Sequence, residues 1–185
     1  MDSRIRIDFT SNKEEIPGIL NECLEHIRQK TQSAPPNEGT LSKIKWVVTE
    51  MLTNAIKHSG EEHCMLAVKV SDNRLILEKE DQGKPLSLTE QYTGKSTEWP
   101  ISDLSEPLEF QIYHNGIDSL IVRADDPNRA GFFIEQLEDT AMPDLIQDTS
   151  EHFGLMIMAK SADAFSYEYD QDSHTNRFTC VFQLH

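Results

Sequence analysis

Four polar side chains in the segment 49–60, TEMLTNAIKHSG, stand among apolar residues near the end of a predicted helix. Glu50, Asn54 and Lys57 are four and three residues apart, so a helix would place them on a single stripe. A glutamate can act as a general base toward water or a hydroxyl, and an asparagine carbonyl is a hard oxygen ligand for Mg²⁺. Lys57 could offset the charge of a phosphate. The spacing therefore indicates either a metal–phosphate site or the solvated face of an ordinary helix.

His58, the fourth polar residue, falls on a different side of the same helix. At roughly 100° per residue the apolar side chains form one broad sector, and His58 lies within it, opposite the stripe that begins at Glu50. We interpret His58 as a packed or capping histidine, with a role as a ligand as the alternative. The apolar sector consists of Leu41, Ile44, Val48, Met51, Leu52 and Ala55.

A second group of candidate residues lies in DQGKP (81–85), directly after a predicted strand. Alternate residues of that strand from Leu75 to Lys79 share one face, and Asp81 continues the alternation. If this face looks toward the helices, Asp81 lies at the rim of the interior, where its carboxylate can accept from an exocyclic amine. Gly83 permits the sharp turn that a loop needs beside a flat ring. The alternative is a strand-ending turn, where Asp, Gly and Pro are common.

A third candidate is the start of a predicted apolar helix, HFGLMIM (152–158). Gly154 near this start would let backbone N–H groups approach a phosphate at the positive end of the helix. The alternative is a buried helix that simply begins with a small residue.

The elements that must position these residues follow the order strand, helix, helix, hairpin. This order predicts an α+β two-layer sandwich, with a mixed, mostly antiparallel sheet and the helices packed on one face. We expect a single domain over 1–185 with an insertion at about 86–150. The predicted elements are a strand over 4–10, a helix from Ser11 or Asn12 to Ile27, a loop over 32–40, a helix over 40–59 ended by Gly60, a hairpin of 64–70 and 74–80, a loop over 86–107, a hairpin over 108–124 with a type I′ turn at Asn115-Gly116, one or two short helices within 126–152, a helix over 153–164, and a closing hairpin of 165–170 and 176–184.

The composition restricts the ligands and partners. Among 185 residues, 17 Lys and Arg stand against 32 Asp and Glu, a net charge of −15. This field disfavours nucleic acid and anionic membranes, and a phosphate site would need local cations, a metal or backbone N–H groups. Three separated cysteines argue against a disulfide framework or zinc site. The chain has no apolar run of membrane-spanning length and its N-terminus lacks a signal-peptide pattern, so we expect a cytoplasmic protein.

The three candidate groups together resemble the GHKL superfamily, the Bergerat-fold ATPases that include histidine kinases, Hsp90 and type II topoisomerases. VVTEMLTNAIKHS looks most like the anti-sigma factor serine kinases of bacterial partner-switching systems. Glu50, Asn54, Ala55 and His58 match that family's E-x-x-x-N-A-x-x-H motif. Asp81, Gly83 and Pro85 match its D-x-G motif, and Gly154-Leu155 match half of its G-x-G-L motif. The resemblance covers about residues 4–85 and 150–184.

The resemblance implies an ATP–Mg²⁺-binding regulatory serine kinase that phosphorylates or sequesters a small protein partner, either an anti-anti-sigma-like domain or a sigma factor. Glu50 would be the catalytic base, Asn54 would coordinate Mg²⁺, and Asp81 would accept from the adenine amino group. The same resemblance allows a homodimer. The implied nucleotide-binding residues are Asn54, Lys57, His58, Asp81, Gly83, Lys84 and Gly154.

Two departures from the family pattern favour an alternative function. His152 stands where the family has the first glycine of G-x-G, and the stretch between the second and third motifs is about twice the expected length. The insertion would add strands to the sheet edge, form a docking surface, or be a tolerated surface excursion. The alternative function is a degenerate Bergerat-fold module that sequesters a protein without phosphoryl transfer; simple ATP hydrolysis is a third.

Overall fold

The computed structural model describes residues 3–32, 34–58, 63–71, 73–136 and 150–184, with the backbone alone at 150 and 151. Within these ranges, the chain forms an α+β fold. The helices are α1 (Ile16–Lys30), α2 (Glu38–His58) and α3 (Ser150–Ser161). The strands are β1 (Ser3–Thr10), β2 (His63–Ser71), β3 (Arg74–Asp81), β4 (Ser87–Thr89), β5 (Ser96–Glu98), β6 (Leu108–His114), β7 (Asp118–Ala124), β8 (Arg129–Gln136), β9 (Ala164–Asp170) and β10 (Thr175–Gln183).

Eight of the strands form one sheet in the order β1-β2-β3-β10-β9-β8-β7-β6, and β4 pairs with β5 separately. Every neighbouring pair in the large sheet is antiparallel. The predicted two-layer α+β class is therefore confirmed, and the sheet has no parallel pair among the described strands. The helices contact one another and the sheet strands, and one hydrophobic cluster joins both layers.

The alternation of β3 shows how this sequence divides the two faces of the sheet. Leu75, Leu77, Lys79 and Asp81 are buried, while the residues between them are half-buried. The half-buried Glu80 pairs with Arg177 on the neighbouring strand, between Oε1 and Nε at 2.7 Å. The period of two therefore places one face against the helices and gives the other face an ion-paired surface. It also places Asp81 on the helix side, as the sequence predicts.

Helix α2 begins two residues earlier than the predicted residue 40, because Asn37 caps it. The Asn37 Oδ1 accepts from the Thr40 N at 2.8 Å and its backbone carbonyl accepts from the Leu41 N at 2.9 Å. This satisfies amides that have no partner within the helix. The predicted end at Gly60 lies outside the described residues. Buried side chains on this helix are Ile44, Val47, Val48, Met51, Leu52 and Ala55.

The described residues 86–136 of the predicted insertion extend the sheet rather than lying on its surface. Strand β8 pairs with β9, and β7 and β6 follow, so three strands are added at that edge. The predicted loop over 86–107 is wrong, since it contains β4 and β5 and places Leu88 and Trp99 in the core at 3% and 2% exposure. A surface excursion would not contribute a buried tryptophan.

The prediction of short helices within 126–152 is also wrong where the structure describes the chain. Residues 129–136 form β8, whose buried Phe132 stacks on Phe165 of β9 with ring centroids 4.3 Å apart. Pairing with β9 and β7 overrides the weak local preference of this segment. The part of the prediction over 137–149 lies outside the described residues. Residues 150–152 are helical as part of α3, which confirms the later predicted helix but starts earlier and ends at Ser161 rather than at 164.

The hairpin predicted over 108–124 is confirmed, but its type I′ turn is wrong. That turn needs a positive φ at both central residues, and of the pair only Gly116 has one, at 90°. A three-residue loop joins β6 to β7 instead. The Asn115 Oδ1 accepts from the N atoms of Ile117 and Asp118 at 3.0 and 2.8 Å. The asparagine side chain thus closes the loop that a two-residue turn would otherwise close.

Across the described ranges, none of the helices combines the length and apolar character that a membrane crossing requires.

Candidate functional site

A cleft of about 310 Å³ opens between α2, α3, the ends of β3 and β10, and the segment 84–88. Such a volume lies at the lower end of the range for small-molecule sites, roughly 300–1,000 Å³. Its apolar walls come from α2, α3, the loop after β3 and β10. The apolar side chains that line it are Met51, Pro85, Leu86, Leu88, Leu155, Met158 and Phe178. The polar side chains that line it are Asn54, His58, Lys79, Asp81, Lys84, Ser87, His152 and Asn176.

Asp81 lies at the base of the cleft and is 6% exposed. Its Oδ1 accepts from the Gly83 N at 2.9 Å and from the Asn176 Nδ2 at 3.0 Å. Its Oδ2 accepts from the Lys79 ammonium. Strand alternation places Asp81 here, and Gly83 follows two residues later so that the chain turns back over the carboxylate. The predicted position of Asp81 at the rim of the interior is therefore what the geometry shows.

Lys79 shares the base of the cleft and is 5% exposed. Its Nζ pairs with the Asp81 carboxylate and lies 4.6 Å from the centroid of the Phe178 ring. A buried carboxylate without a cation would be strongly unfavourable, so Lys79 makes the burial of Asp81 tolerable. The ring face adds a second favourable contact to the ammonium.

Asn176 and Tyr167 complete the polar network beneath the cleft. The Asn176 Nδ2 donates to Asp81 and also to the Gly83 carbonyl at 3.0 Å, while its Oδ1 accepts from the Tyr167 hydroxyl at 2.6 Å. Burial raises the pKa of Tyr167, so its hydroxyl stays protonated and donates. That hydroxyl in turn accepts from the Leu86 N at 3.1 Å. The loop after β3 is thereby fastened to β9 and β10.

The charge within the cleft is opposite to that of the whole chain. Among the described residues that line it, two lysines, Lys79 and Lys84, and two histidines, His58 and His152, face a single carboxylate, Asp81. The protein as a whole has a net charge of −15. The local cations therefore meet the requirement for an anion site in an acidic protein.

Glu50 lies one helical turn before Asn54 and is half-buried under α3. A Cβ built on Gly154 would stand 2.6 Å from the Glu50 Oε2 and 3.3 Å from the Asn54 Nδ2. The absence of a side chain at Gly154 is thus what lets α3 approach this part of α2. Burial raises the pKa of Glu50, and the Lys57 cation opposes this by lowering it. A raised pKa suits a general base that must hold a proton during reaction.

The structure brings four predicted residues to the walls of the cleft and places four beside it. Asn54, His58, Asp81 and Lys84 line the cleft. Gly154 faces the side chains of Glu50 and Asn54, Gly83 donates to Asp81, and Lys57 is exposed on α2.

The predicted separation of His58 from Asn54 is wrong. Met51, Asn54 and His58 line the same wall of α2, because residues at i, i+3 and i+7 share one face. On the helical wheel Asn54 stands between Glu50 on one side and Met51 on the other, so it belongs to both groups. His58 is exposed rather than packed in the core, and its place in the cleft agrees with the alternative role as a ligand.

Four polar residues that line the cleft, Lys79, Ser87, His152 and Asn176, are not among the predicted site residues, and Lys79 and Asn176 are the two of them that are buried. Both carry a signal in the alternation of their strands. Lys79 shares a face with Leu77, and Asn176 shares one with Cys180 and other buried residues of β10. A polar residue on the buried face of a strand requires a hydrogen-bond partner, so both residues indicate a buried polar network.

No group of three or more His, Cys, Asp or Glu side chains that could hold a metal occurs in the described part of the chain. A magnesium ion at Asn54 would therefore draw most of its ligands from water and phosphate oxygens, as Mg²⁺ commonly does in phosphate sites.

Comparison with known proteins does not identify a family. No protein-family model matches the sequence, and no curated protein sequence is significantly similar to it. The resemblance to Bergerat-fold kinases therefore stays a prediction.

Proposed function

We propose that the protein is an ATP–Mg²⁺-binding regulatory serine kinase of the anti-sigma type, which phosphorylates or sequesters a small protein partner. The observation that carries this proposal is the cleft itself. It combines a buried acceptor carboxylate, apolar walls and a local excess of cations within a protein of net charge −15.

The base of the cleft fits an adenine ring. An ionised carboxylate has about four lone-pair positions, and Asp81 uses three of them for Gly83, Asn176 and Lys79. One position on Oδ2 is left to accept from an exocyclic amine. Met51 and Leu155 supply apolar surface on either helix for the faces of a flat ring.

Other polar side chains of the cleft would hold a metal-bound triphosphate. Asn54 offers a carbonyl oxygen to Mg²⁺, and Lys84 and His58 offer positive charge or N–H donors to phosphate oxygens. ATP–Mg²⁺ would supply the γ-phosphoryl group and neutralise the charge that develops during its transfer.

Glu50 is the proposed catalytic residue. The Glu50 carboxylate and the Asn54 side chain both lie close to Gly154, so Glu50 would stand beside the phosphates of the proposed nucleotide. Burial raises the pKa of Glu50, so the carboxylate accepts a proton more readily than an exposed glutamate does. It would remove the proton of a serine hydroxyl or a water molecule as that oxygen attacks phosphorus.

The proposed partner is a small anti-anti-sigma-like domain or a sigma factor, and the proposed location is the cytoplasm. The partner follows from the resemblance of the α2 motif. The location is supported by Cys23, Cys64 and Cys180, three buried cysteines that form no disulfide and so suit a reducing compartment. A homodimer is part of the same proposal.

A second candidate function is protein sequestration without phosphoryl transfer. One observation favours it: Gly154 stands directly over the Glu50 carboxylate, and Glu50 does not line the cleft. A base covered in this way would need α3 to move before a hydroxyl could reach it.

Radiolabelled phosphoryl transfer onto a co-purified partner separates the two functions. The kinase proposal expects labelled serine with the full-length protein, loss of label in Glu50→Ala, and nucleotide binding retained in Glu50→Ala. A matched control is Glu38→Ala, which removes an exposed glutamate from the start of the same helix. Binding of nucleotide and partner without any transfer by the wild type would overturn the kinase proposal and support sequestration.

A further inference from the structure

The base of the cleft presents a hydrogen-bond donor and an acceptor side by side. Lys79 and Asp81 are two residues apart on β3 and face the same way. They pair with each other, are 5% and 6% exposed, and both line the cleft. A lysine buried only to neutralise a carboxylate would have no need to reach the cavity.

The Lys79 ammonium has donor capacity to spare. It carries three N–H groups, and among the described residues Asp81 is its single hydrogen-bond partner. The Phe178 ring centroid lies 4.6 Å from Nζ and holds the ammonium on one side. The ring offers a π-face but no lone pair for an N–H group. Two donors are therefore left for water or for a ligand in the cleft.

Asp81, by contrast, is fixed and nearly saturated. Three contacts hold its carboxylate, from Gly83, Asn176 and Lys79. The remaining lone pair on Oδ2 lies on the oxygen that Lys79 contacts. An acceptor and a donor thus stand within one hydrogen-bond length of each other in the wall of the cleft.

We propose that Lys79 is a specificity-determining residue that donates to a ring nitrogen of the bound base while Asp81 accepts from the neighbouring exocyclic amine. This inference rests on the proposed ATP site and deepens it. Adenine presents an acceptor nitrogen next to the N6 amine on two edges, N7 on one and N1 on the other, and we assign Lys79 to N1. A carboxylate alone would read one of these positions, whereas the Lys79–Asp81 pair reads both.

The affinities of ATP and 1-deaza-ATP, which lacks the N1 acceptor, test the proposal. A hydrogen bond from a charged donor to a ring nitrogen predicts that wild-type protein binds 1-deaza-ATP about 10- to 100-fold more weakly than ATP. In Lys79→Met the same ratio should fall to about twofold or less. Lys84→Met is the matched control: it removes another cleft lysine and should weaken both nucleotides while keeping the wild-type ratio.

Each outcome decides the proposal. Equal affinity of the wild type for ATP and 1-deaza-ATP overturns it, even if Lys79→Met does not fold. An unchanged ratio in Lys79→Met also overturns it and leaves Lys79 a structural partner of Asp81. Lys79→Gln, which removes the charge but keeps an N–H donor, should give an intermediate ratio. Absence of binding by either nucleotide to the wild type overturns the ATP site itself, and this inference with it.

Discussion

Gly154→Ala should leave the stability of the protein nearly unchanged and strongly lower the rate of phosphoryl transfer. Gly154 is an interior residue of α3, and a Cβ at this position would stand 2.6 Å from the Glu50 Oε2. Ordinary van der Waals contact begins near 3.4 Å, so the carboxylate would have to retreat by about 0.8 Å. The Asn54 side chain, at 3.3 and 3.4 Å, would move by a few tenths of an ångström at most.

The effect on stability should be small. Alanine is favoured over glycine in a helix interior by about 1 kcal/mol. Displacing the flexible end of a glutamate from its rotamer costs about 0.5–1.5 kcal/mol. The two contributions oppose each other, so the free energy of unfolding should change by less than about 1 kcal/mol.

The effect on phosphoryl transfer should be large. Misplacing a reacting group by about 1 Å can cost on the order of 100-fold in rate, and Glu50 is the proposed base. Release of inorganic phosphate from ATP–Mg²⁺ measures transfer to water and needs no identified partner. We expect a loss of about 100-fold in Gly154→Ala, with nucleotide affinity changed much less.

Gly18→Ala is the matched control for this substitution. Gly18 lies in α1, and a Cβ built there meets nothing within 4 Å. It should stabilise the protein by about 0.5–1 kcal/mol and leave phosphate release unchanged. If Gly154→Ala folds normally and keeps phosphate release within twofold of wild type, Glu50 is not the base and the reasoning is refuted.

Three further predictions concern the ion pair, the insertion and the pKa of Glu50. Lys79→Met should lower the free energy of unfolding by about 3–5 kcal/mol, because its buried carboxylate partner Asp81 loses its cation. The control Glu109→Gln breaks an exposed ion pair and should lower it by at most about 1 kcal/mol. Equal losses in urea denaturation would contradict the burial of the Lys79–Asp81 pair. Trp99→Ala should lower the free energy of unfolding by about 3–5 kcal/mol, as measured by circular dichroism during denaturation. The control Trp46→Ala removes a side chain that is 57% exposed and should change this free energy by no more than about 0.5 kcal/mol. A small loss in Trp99→Ala would mean that the insertion is not part of the core. Because burial raises the pKa of Glu50, the folded state keeps a proton that the unfolded state releases as the pH rises above 4.5, and the stability of the wild type relative to Glu50→Gln should fall over this range. Denaturation midpoints of both proteins at a series of pH values measure the difference. A difference independent of pH would show that the Glu50 carboxylate is fully solvated.

Strand and helix periodicity is enough to predict the part of the fold that carries the site. The alternation through β3 alone places Asp81 on the helix side, and the apolar stripe of α2 identifies most of the residues that are buried. These elements are long, and their patterns repeat several times. Their burial depends on faces that the local sequence already defines.

The insertion cannot be predicted in the same way, because its order comes from distant residues. β4 and β5 have three residues each, too few to show a period. Trp99 is buried through contact with Tyr167, whose ring centroid lies 6.2 Å away, and its Nε1 donates to the Arg129 carbonyl at 3.2 Å. Neither partner is close to Trp99 along the chain.

Sequence patterns predict Asp81 and Asn54 of the site but neither Lys79 at its base nor Asn176 beside it. Asp81 and Asn54 belong to recognisable motifs, whereas Lys79 interrupts an apolar face and has meaning only once Asp81 is seen beside it. The predicted grouping of His58 is wrong because Asn54 lies between Glu50 and Met51 on the helical wheel, only about 40° from His58, and the wheel of one helix does not show where the cleft opens. Tertiary placement of α3 decides which side of α2 becomes the wall.

Calorimetric titration of the full chain with ATP, in the presence of Mg²⁺ and then of a chelator, tests the central claim most directly. We predict saturable binding of ATP, with an affinity that falls by about tenfold or more when Mg²⁺ is removed and in Asn54→Ala. Asn73→Ala, which removes an exposed asparagine from the turn between β2 and β3, should bind as the wild type does. Absence of binding at millimolar nucleotide under both conditions would contradict the account.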